Sequence, residues 1–527
     1  MGTPDVSVVV PVYNTMPYLT RCLRSLAKQS IGAGRMEIIA IDDGSTDGSQ
    51  RQLDRFARRY PNVVRVVHQQ NSGGPAGPCN RALSLARGRY VYFVGADDYL
   101  GRETLERLVD AADRYGSDVV LGRAVGVNNR YIHQQVYART EPAIDLFDAD
   151  SGLRWSLANY KLFRRELVER HGLRFPEDMP VASDQPFTIE AICRANRVTV
   201  LADYDYYYAV RRLDAGNITY SSRHLERLAA AGRIMDFVAD LVEPGTRRDT
   251  LLFRHFTWEL GKLLGDDFLR LDRRTQELVC LGAADLVDRH LTDEIRDQLD
   301  IETRIRLSAA AHGTVDDLIT VIRHDARHGV PPMVRSGGRR YAGYPLADGE
   351  PDAPRPEWQD ITSASAAWIA KLDAVSATVC SSGGGGPTIE ITARSPHPGL
   401  DALVTSPVRV VAEHLAADTV SLAPDGEGTL VRAHFRIDTL VASSAPLGHR
   451  WNLRVHIDAF GGTGSAALRG ARLTSSARRI RRHDRRVFLV NVVKDPSGHI
   501  LIAVTPLTPR RIISRLRKAV GRAAGFR

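Results

Sequence analysis

No run of about 18 apolar residues occurs in the 527-residue sequence, so it encodes no membrane-spanning helix. The first residues, Met-Gly-Thr-Pro-Asp-Val-Ser, lack the basic-then-apolar pattern of a secretory signal, and a cytoplasmic start is expected. Five cysteines, Cys22, Cys79, Cys193, Cys280 and Cys380, are scattered without a CxxC pair, which argues against a disulfide framework and a zinc site. No GxGxxG follows the first apolar run and no P-loop occurs, so neither a dinucleotide nor a P-loop site is supported. Acids are missing from one end of the chain. Arg510 to Arg527 holds seven basic residues and no acid, and Arg478 to Arg486 holds six arginines against one Asp. These two stretches carry +12 of a formal net charge of +9, leaving −3 for the rest. Basicity placed this way suggests an anionic partner, whether membrane, nucleic acid or acidic polymer.

Hydrophobic (43%) and charged (25%) fractions are those of an ordinary globular protein, and the length predicts two to four domains. Tyr90 to Val94 reads as a strand buried on both faces that runs into a turn carrying Asp97 and Asp98. Adjacent carboxylates repel, and a divalent cation or a hydrogen-bonding ligand keeps both ionised. An Asp-rich turn capping a helix from Arg102 is the alternative. Upstream, Val6 to Val10, Glu37 to Ile41 and Val63 to His68 read as strands, with helical periodicity over Met16 to Gln29, Ser49 to Tyr60 and Arg81 to Arg87. The loop from Gln70 to Asn80 is rich in Gly and Pro. This alternation predicts a parallel, doubly wound α/β sheet whose one edge receives Tyr13, Asp42, Asp43, Asp97 and Asp98. Such an acidic edge suits a nucleotide: one carboxylate to accept a uracil N3–H, another to hold a metal on a diphosphate.

Four stretches then carry a resemblance: Val8 to Asn14 (Val-Val-Val-Pro-Val-Tyr-Asn), Ile41 to Asp47 (Ile-Asp-Asp-Gly-Ser-Thr-Asp), Asn71 to Gly74 (Asn-Ser-Gly-Gly) and Gly88 to Asp98. In this order and spacing the sequence resembles family 2 glycosyltransferases of the Rossmann-like GT-A fold over roughly its first 215 residues. The resemblance implies an inverting transferase that takes a UDP-sugar with Mn²⁺ or Mg²⁺. Carried over by position, Pro11, Tyr13, Asp42 and Asp43 hold the nucleoside, with Asn71 and Arg81 on the donor side. Asp97 is the main metal ligand, and Asp98 assists or binds the donor sugar. Two positions depart from the family pattern. Gly95 stands where the family has the first acid of its metal motif, which implies either weaker metal binding or more reliance on the diphosphate oxygens. Cys79 stands where the family often has Arg.

An inverting transfer needs a general base on the acceptor hydroxyl. Asp184, just before Pro186 at an expected helix start, matches the second acid of the family's catalytic pair, and Ser183 replaces the first. The alternatives are that Asp184 only caps the helix, or that Glu177 and Asp178 supply the acid. Asn159 to Arg164 fits the acceptor-side segment. Tyr206 to Arg212 resembles the closing segment, where Arg211, with Arg212 second, reaches the diphosphate.

Beyond Ser222 the pattern is helical to about Arg327, without a catalytic constellation; His255 and Trp258 read as packing residues and Asp266 and Asp267 as a solvated face. A Gly/Pro/Arg-rich linker follows. Then strands are expected at Thr388 to Thr392, Ala402 to Val411, Thr429 to Ile437, Trp451 to Ala459, Arg486 to Val493 and His499 to Thr505, suggesting an immunoglobulin-like sandwich. The expected division is 1–220 catalytic, 221–327 helical extension, 328–356 linker, 357–507 β-sandwich for oligomerisation or polymer binding, and 508–527 a basic amphipathic tail for anionic lipid. This layout is similar to wall teichoic acid glycosyltransferases, which add N-acetylglucosamine to poly(ribitol phosphate) and trimerise through C-terminal domains. The resemblance implies a UDP-sugar donor, an anionic polymer acceptor, a homo-oligomer, no nucleic acid, and a peripheral place at the inner face of the cell membrane. Transfer to another surface polysaccharide or lipid-linked glycan, or a catalytically weak sugar-nucleotide or glycan-binding protein, remain the alternatives.

Overall fold

The computed structural model of the chain describes residues 3–148, 152–214, 216–217, 222–345, 356–382, 386–426, 428–444, 448–470, 473–484, 486–495 and 498–507. The basic tail lies outside the described residues. The chain forms two compact units, one of Met1–Leu263 with Asp272–Leu299, the other of Leu264–Leu271 with Asp300–Arg527. No helix among the described residues is long and apolar enough to cross a membrane.

The first unit is built on strands β1 (Val6–Val12), β2 (Met36–Asp43), β3 (Val64–Gln69), β4 (Tyr90–Phe93), β5 (Tyr99–Leu100), β6 (Val119–Gly122), β7 (Ala124–Val127), β8 (Leu162–Arg164), β9 (Val198–Leu201) and β10 (Tyr207–Val210). Its helices include α1 (Leu19–Ala27), α2 (Ser49–Arg59), α3 (Ala76–Leu83), α4 (Thr104–Tyr115), α5 (Arg165–Arg170) and α6 (Asp184–Arg194). The main sheet runs β3-β2-β1-β4-β8-β6-β9. Every residue of β2 and β4 is buried, as an apolar run without alternation predicts for a strand covered on both faces. The α1 stripe of Leu19, Cys22, Leu23 and Leu26 is buried at helical spacing.

The all-parallel expectation is corrected at β8. β3, β2, β1 and β4 are parallel, but β8 pairs antiparallel with both β4 and β6. The strand–helix alternation that implies parallel crossovers stops at β4. The chain reaches β8 through the long irregular stretch after β7 and enters the sheet from the other end. A second sheet, β5-β10-β7, sets β10 antiparallel to β5, with Tyr207 opposite Leu100 and Tyr208 opposite Tyr99. This small sheet brings β10 alongside the turn that follows β4. Helix α4 begins at Thr104 because the two residues of β5 intervene after the turn.

Three long helices continue the first unit, His224–Leu241, Thr246–Arg254 and Arg273–His290, with a π-helical turn at His255–Leu260. The second unit holds helices Ile301–His312 and Val315–His328 and a hairpin of Met333–Ser336 with Arg339–Ala342. It is otherwise β-rich. One sheet orders Asp373–Ser382, Gly386–Ser395, Gly428–Arg436 and Thr419–Asp425. The other orders Leu415–Ala416, Arg409–Ala412, His449–Ala459, Ile500–Pro506, Arg486–Lys494 and Arg478–His483, with Gly462–Ala467 paired to His449–Ala459. The single strand expected over Ala402 to Val411 is corrected: Leu400–Leu403 is a helical turn and the strand is Arg409–Ala412. Pro407 falls inside that run, and a proline has no N–H to give to a ladder. The arginine-rich Arg478–His483 is an edge strand.

Candidate active site

The Asp42–Asp43 end of the sheet edge is set by register. Val12 lies opposite Asp42 across β1 and β2, and Asp42 and Asp43 lie opposite His68 and Gln69 across β2 and β3. Both carboxylates are buried and held by nearby donors. Asp42 accepts from the Ser45 amide (3.2 Å) and faces His68 Nδ1 (2.9 Å). Asp43 accepts from Gln69 Nε2 (2.7 Å), the Ser72 amide (3.1 Å) and Ser72 Oγ (3.0 Å). Gly44 has φ +78°, and a Cβ there would meet the Asn71 amide nitrogen at 2.9 Å, so only glycine lets this turn meet the Gly-rich loop. Asn71 Nδ2 donates to the Asp43 carbonyl (3.0 Å). The loop after β1 is tied in the same way, with Asn14 Oδ1 accepting from the Thr46 amide (2.8 Å). Pro11 ends this edge half-buried and the Tyr13 ring is 51% exposed.

The Asp97–Asp98 turn is built differently. Asp98 is buried, with Oδ2 accepting from the Tyr207 hydroxyl and Oδ1 from the Val210 amide, both at 2.6 Å. These bonds fasten β10 to the end of β4. Arg130 Nη1 lies 3.7 Å from Asp98 Oδ1. Burial, then the neighbouring Asp97 charge, push the Asp98 carboxyl up to about 7. Asp97 is half-buried and accepts from Asn217 Nδ2 (2.8 Å). Burial raises its carboxyl above the usual range against the pull of Arg130 and Arg212. A Cβ at Gly95 would stand 2.8 Å from Asp98 Oδ2 and 3.2 Å from Asp97 Oδ1. A third acid at that position would displace the Asp98 carboxylate from Tyr207.

Asp184 is the first residue of α6, not the residue before it, and Pro186 therefore stands at the third helical position. Ser183 precedes the helix, and no side chain caps it. Burial raises the Asp184 carboxyl above the usual range, opposed by backbone amides, Lys161 and Arg254. Lys161 is fully buried, donates to the Ala158 carbonyl, and is pulled down to about 7 by burial, with Asp184 opposing. Aromatic packing sets the helix. Phe187, one turn on, stacks on Phe175 at 4.2 Å and meets Phe93 of β4 edge-on at 5.5 Å and Phe163 of β8 at 5.2 Å. Burying such a ring contributes about 2 kcal/mol. Tyr160 stacks on Tyr207 at 4.7 Å and lies within electrostatic reach of Arg130, Asp184 and Asp98 together. Tyr160 thus lies close both to the turn after β4 and to the start of α6.

The other expected residues fall around these elements unevenly. Glu177 accepts from Asn80 Nδ2 (2.9 Å), and Asp178 pairs with Arg233, so both are spent on loop and helix contacts. Arg81 is exposed and reaches Gln69 Oε1 at 3.4 Å. Arg211 is exposed, while Arg212 pairs with Asp214 (2.9 Å) and, with Arg130, lies within reach of Asp97. Sequence reasoning missed Arg130, Tyr207 and Asn217 as partners of the acid turn. Each comes from a segment remote in sequence, joined only by the β5-β10-β7 sheet. It also missed Arg254, whose Nη1 bonds Glu259 (2.8 Å) and Gln185 Oε1 (3.1 Å), next to Asp184. Burial works against the Glu259 charge, but Arg254 and His255 hold its carboxyl down to about 2.

Among the described residues, no group of three or more His, Cys, Asp or Glu could cage a metal ion. Both Asp98 oxygens have protein partners, which leaves Asp97 as the accessible carboxylate. This donor set fits a Mg²⁺-like cation that takes one carboxylate from the protein and its other ligands from a diphosphate and water.

Comparison with known proteins agrees with this architecture. The family model "Glycosyl transferase family 2" matches residues 7–172, and "Glycosyl transferase TarS linker domain" matches 226–322. The poly(ribitol-phosphate) beta-glucosyltransferase of Bacillus spizizenii is 40% identical over 207 residues, 39% of this chain and 32% of that protein. The chain thus spans about a third of the length of this relative and of S. aureus TarS. The crystal structure of S. aureus TarS 1-349 in complex with UDP-GlcNAc is 28% identical with a TM-score of 0.57, covering 67% of this chain and 100% of that one. The longer S. aureus TarS structure, 21% identical with a TM-score of 0.60, covers 96% of this chain and 86% of that one, and shows a shared fold. The uncharacterized glycosyltransferase EpsJ of Bacillus subtilis is 33% identical over 236 residues, 42% of this chain and 67% of that protein. From the strand order, the acid turn at the end of β4 and these matches, the chain belongs to glycosyl transferase family 2.

Proposed function

We propose that the protein moves a sugar from a UDP-sugar to a hydroxyl of a poly(ribitol phosphate) chain, with inversion at the anomeric carbon. The observation that supports this reading is the placement of Asp98 and Asp184 about Tyr160, which stacks on the Tyr207 that bonds Asp98. Pro11, Tyr13, Asp42, Asp43 and Asn71 line the nucleoside side, with Arg81 at its rim. Asp97 would hold a divalent cation, Mn²⁺ or Mg²⁺, which when bound would supply positive charge for the diphosphate. Asp98 acts by positioning, through Tyr207 and Val210. Arg212, more than Arg211, faces the diphosphate side. Asp184 takes the proton of the acceptor hydroxyl as that oxygen bonds to the anomeric carbon and the bond to UDP breaks. A carboxyl raised by burial is the stronger base for that step. The poly(ribitol-phosphate) transferases among the relatives support the acceptor, and the TarS complex with UDP-GlcNAc supports the UDP donor.

The sugar is N-acetylglucosamine in this reading. Glucose is the second reading, favoured by the name of the 40% identical relative. We further assign 1–220 to catalysis, 221–327 to a helical extension, 328–356 to a linker and 357–507 to an immunoglobulin-like module that assembles a homo-oligomer. The tail 508–527 docks on anionic lipid, which puts the enzyme at the inner face of the membrane. UDP release from a panel of UDP-sugars, with and without poly(ribitol phosphate), tests the core of the proposal. Release with one sugar, stimulated by the polymer and abolished in Asp184→Ala, is expected. Release without polymer stimulation would discard the acceptor.

A further inference from the structure

An aromatic step stands beside the candidate active site. Tyr131, just past Arg130, is 56% exposed and stacks on Trp258 with ring centroids 5.7 Å apart. Trp258 meets Trp155 at 6.5 Å, and Trp155 stacks on His133 at 5.6 Å. The exposed Lys262 holds its ammonium 3.7 Å from the centre of the Trp258 ring. Trp258 is offered here by the π-helical turn His255–Leu260, a widening of the helix that often marks functional positions. An amphipathic helix turn that served packing alone would turn these rings inward. Here the Tyr131 ring opens to solvent.

Two further observations point to a ligand. His133 Nδ1, on the ring that packs between Tyr131 and Trp155, and Thr257 Oγ1, on the residue before Trp258, are buried polar atoms without a hydrogen-bond partner. Such atoms are rare and call for a partner. The charge around the step is also one-sided, since Arg227 and Arg254 lie within electrostatic reach of Lys262, with Glu259 as the opposing acid. The step adjoins the candidate active site through Arg130, which touches Asp98, and through Arg254, which acts on both His133 and Asp184.

We infer that Tyr131, Trp155 and Trp258, with His133, Thr257 and Lys262, form a subsite for a polyol-phosphate segment of the acceptor, next to the hydroxyl that reacts. The C–H face of the polyol lies on the rings, its hydroxyls meet His133 and Thr257, and a phosphate pairs with Lys262. This rests on the acceptor proposed above. A neutral glycan would use the rings and leave Lys262 without a role. A lipid surface would need a broad apolar face rather than a narrow step with polar atoms among its residues.

The test is binding of a defined poly(ribitol phosphate) oligomer to the full chain by calorimetry, with UDP-sugar affinity measured in parallel. Trp258→Ala and Tyr131→Ala are expected to weaken oligomer binding about tenfold, while Tyr131→Phe stays within about twofold. Lys262→Ala is expected to flatten the salt dependence of oligomer binding. UDP-sugar affinity is expected to hold in all of them. If Trp258→Ala fails to fold, the exposed Tyr131 carries the test. Oligomer binding unchanged in both alanine variants would overturn the subsite and leave the acceptor reading standing. Wild-type protein that binds UDP-sugar and no oligomer would overturn the acceptor reading and the subsite together.

Discussion

Two Asp-Asp pairs end neighbouring parts of one sheet edge, and they are held in opposite ways. Asp42 and Asp43 are surrounded by short-range donors: the Ser45 amide, His68, Gln69 and Ser72. Asp97 and Asp98 are buried with fewer donors, and Asp98 is driven up to about 7 by burial and by Asp97. The first pair is satisfied by its own loops and serves to shape a pocket wall. The second pair stays raised by burial in spite of Arg130 and Arg212, and in the proposed reading a cation arriving with a diphosphate would favour its ionised form. The same dipeptide is thus held by its own loops at the end of β2 and raised by burial at the end of β4, and the neighbouring donors decide which.

The strongest way to break this comparison is to remove the acids assigned to chemistry. Asp97→Ala and Asp184→Ala should each lower polymer-stimulated UDP release by about a thousandfold. Asp42→Asn should act mainly on donor affinity. A loss in Asp42→Asn as large as that in Asp97→Ala, with donor affinity intact, would make the two pairs equivalent in function.

Stability sharpens the comparison within the second pair. Asp98→Ala strands the Tyr207 hydroxyl and the Val210 amide, at a cost of about 2 to 4 kcal/mol in urea unfolding. Asp97→Ala removes one bond, from Asn217, and relieves the repulsion on Asp98, so its cost should stay below about 1 kcal/mol. Equal costs would show that Asp98 is not the structural member.

A smaller effect comes from pH. Asp98 binds its proton more tightly in the folded chain, so between the ordinary aspartate range and about 7 the folded state holds a proton the unfolded state has lost. Stability without metal therefore falls as pH rises through that window. A divalent cation favours the ionised pair, so the rise in Tm on adding Mn²⁺ should be larger at pH 7.5 than at pH 5, by about a few degrees. A rise independent of pH would separate the cation from this pair.

Much of this site was legible in the sequence because its acids sit at the ends of apolar strands, where burial pattern and loop position coincide. Asp42, Asp43, Asp97 and Asp98 lie on the edge that the strands predict, and Asp184 starts a helix close to where Pro186 suggests. What the sequence withheld depends on long-range pairing. The antiparallel β8 follows a loop with no periodicity. Arg130 and Tyr207 reach Asp98 only because β5, β10 and β7 form a sheet of two- to four-residue strands. Trp258 reads as core from its helical spacing, and only the π-helical turn moves it to the step beside Tyr131.

The smallest effect lies in the first pair and tests whether its donors are as settled as the geometry suggests. His68 bridges Asp42 at 2.9 Å and Asp54 at 3.1 Å. The hydrogen bond to Asp42, aided by Asp54 against partial burial, raises the imidazole above its ordinary value. Its protonated form therefore adds stability that is fully present below the unfolded value and is lost as pH rises through the folded one. The ring is partly exposed, so solvent and salt screen the gain. Proton NMR should find His68 titrating above about 6.5, and Asp42→Asn should bring it back toward that value. Asp97→Asn should leave it where it is, because the second pair contributes nothing to this bridge. A shift of His68 in Asp97→Asn would mean that the two pairs act as one charge cluster, and their division into wall and binding site would fall.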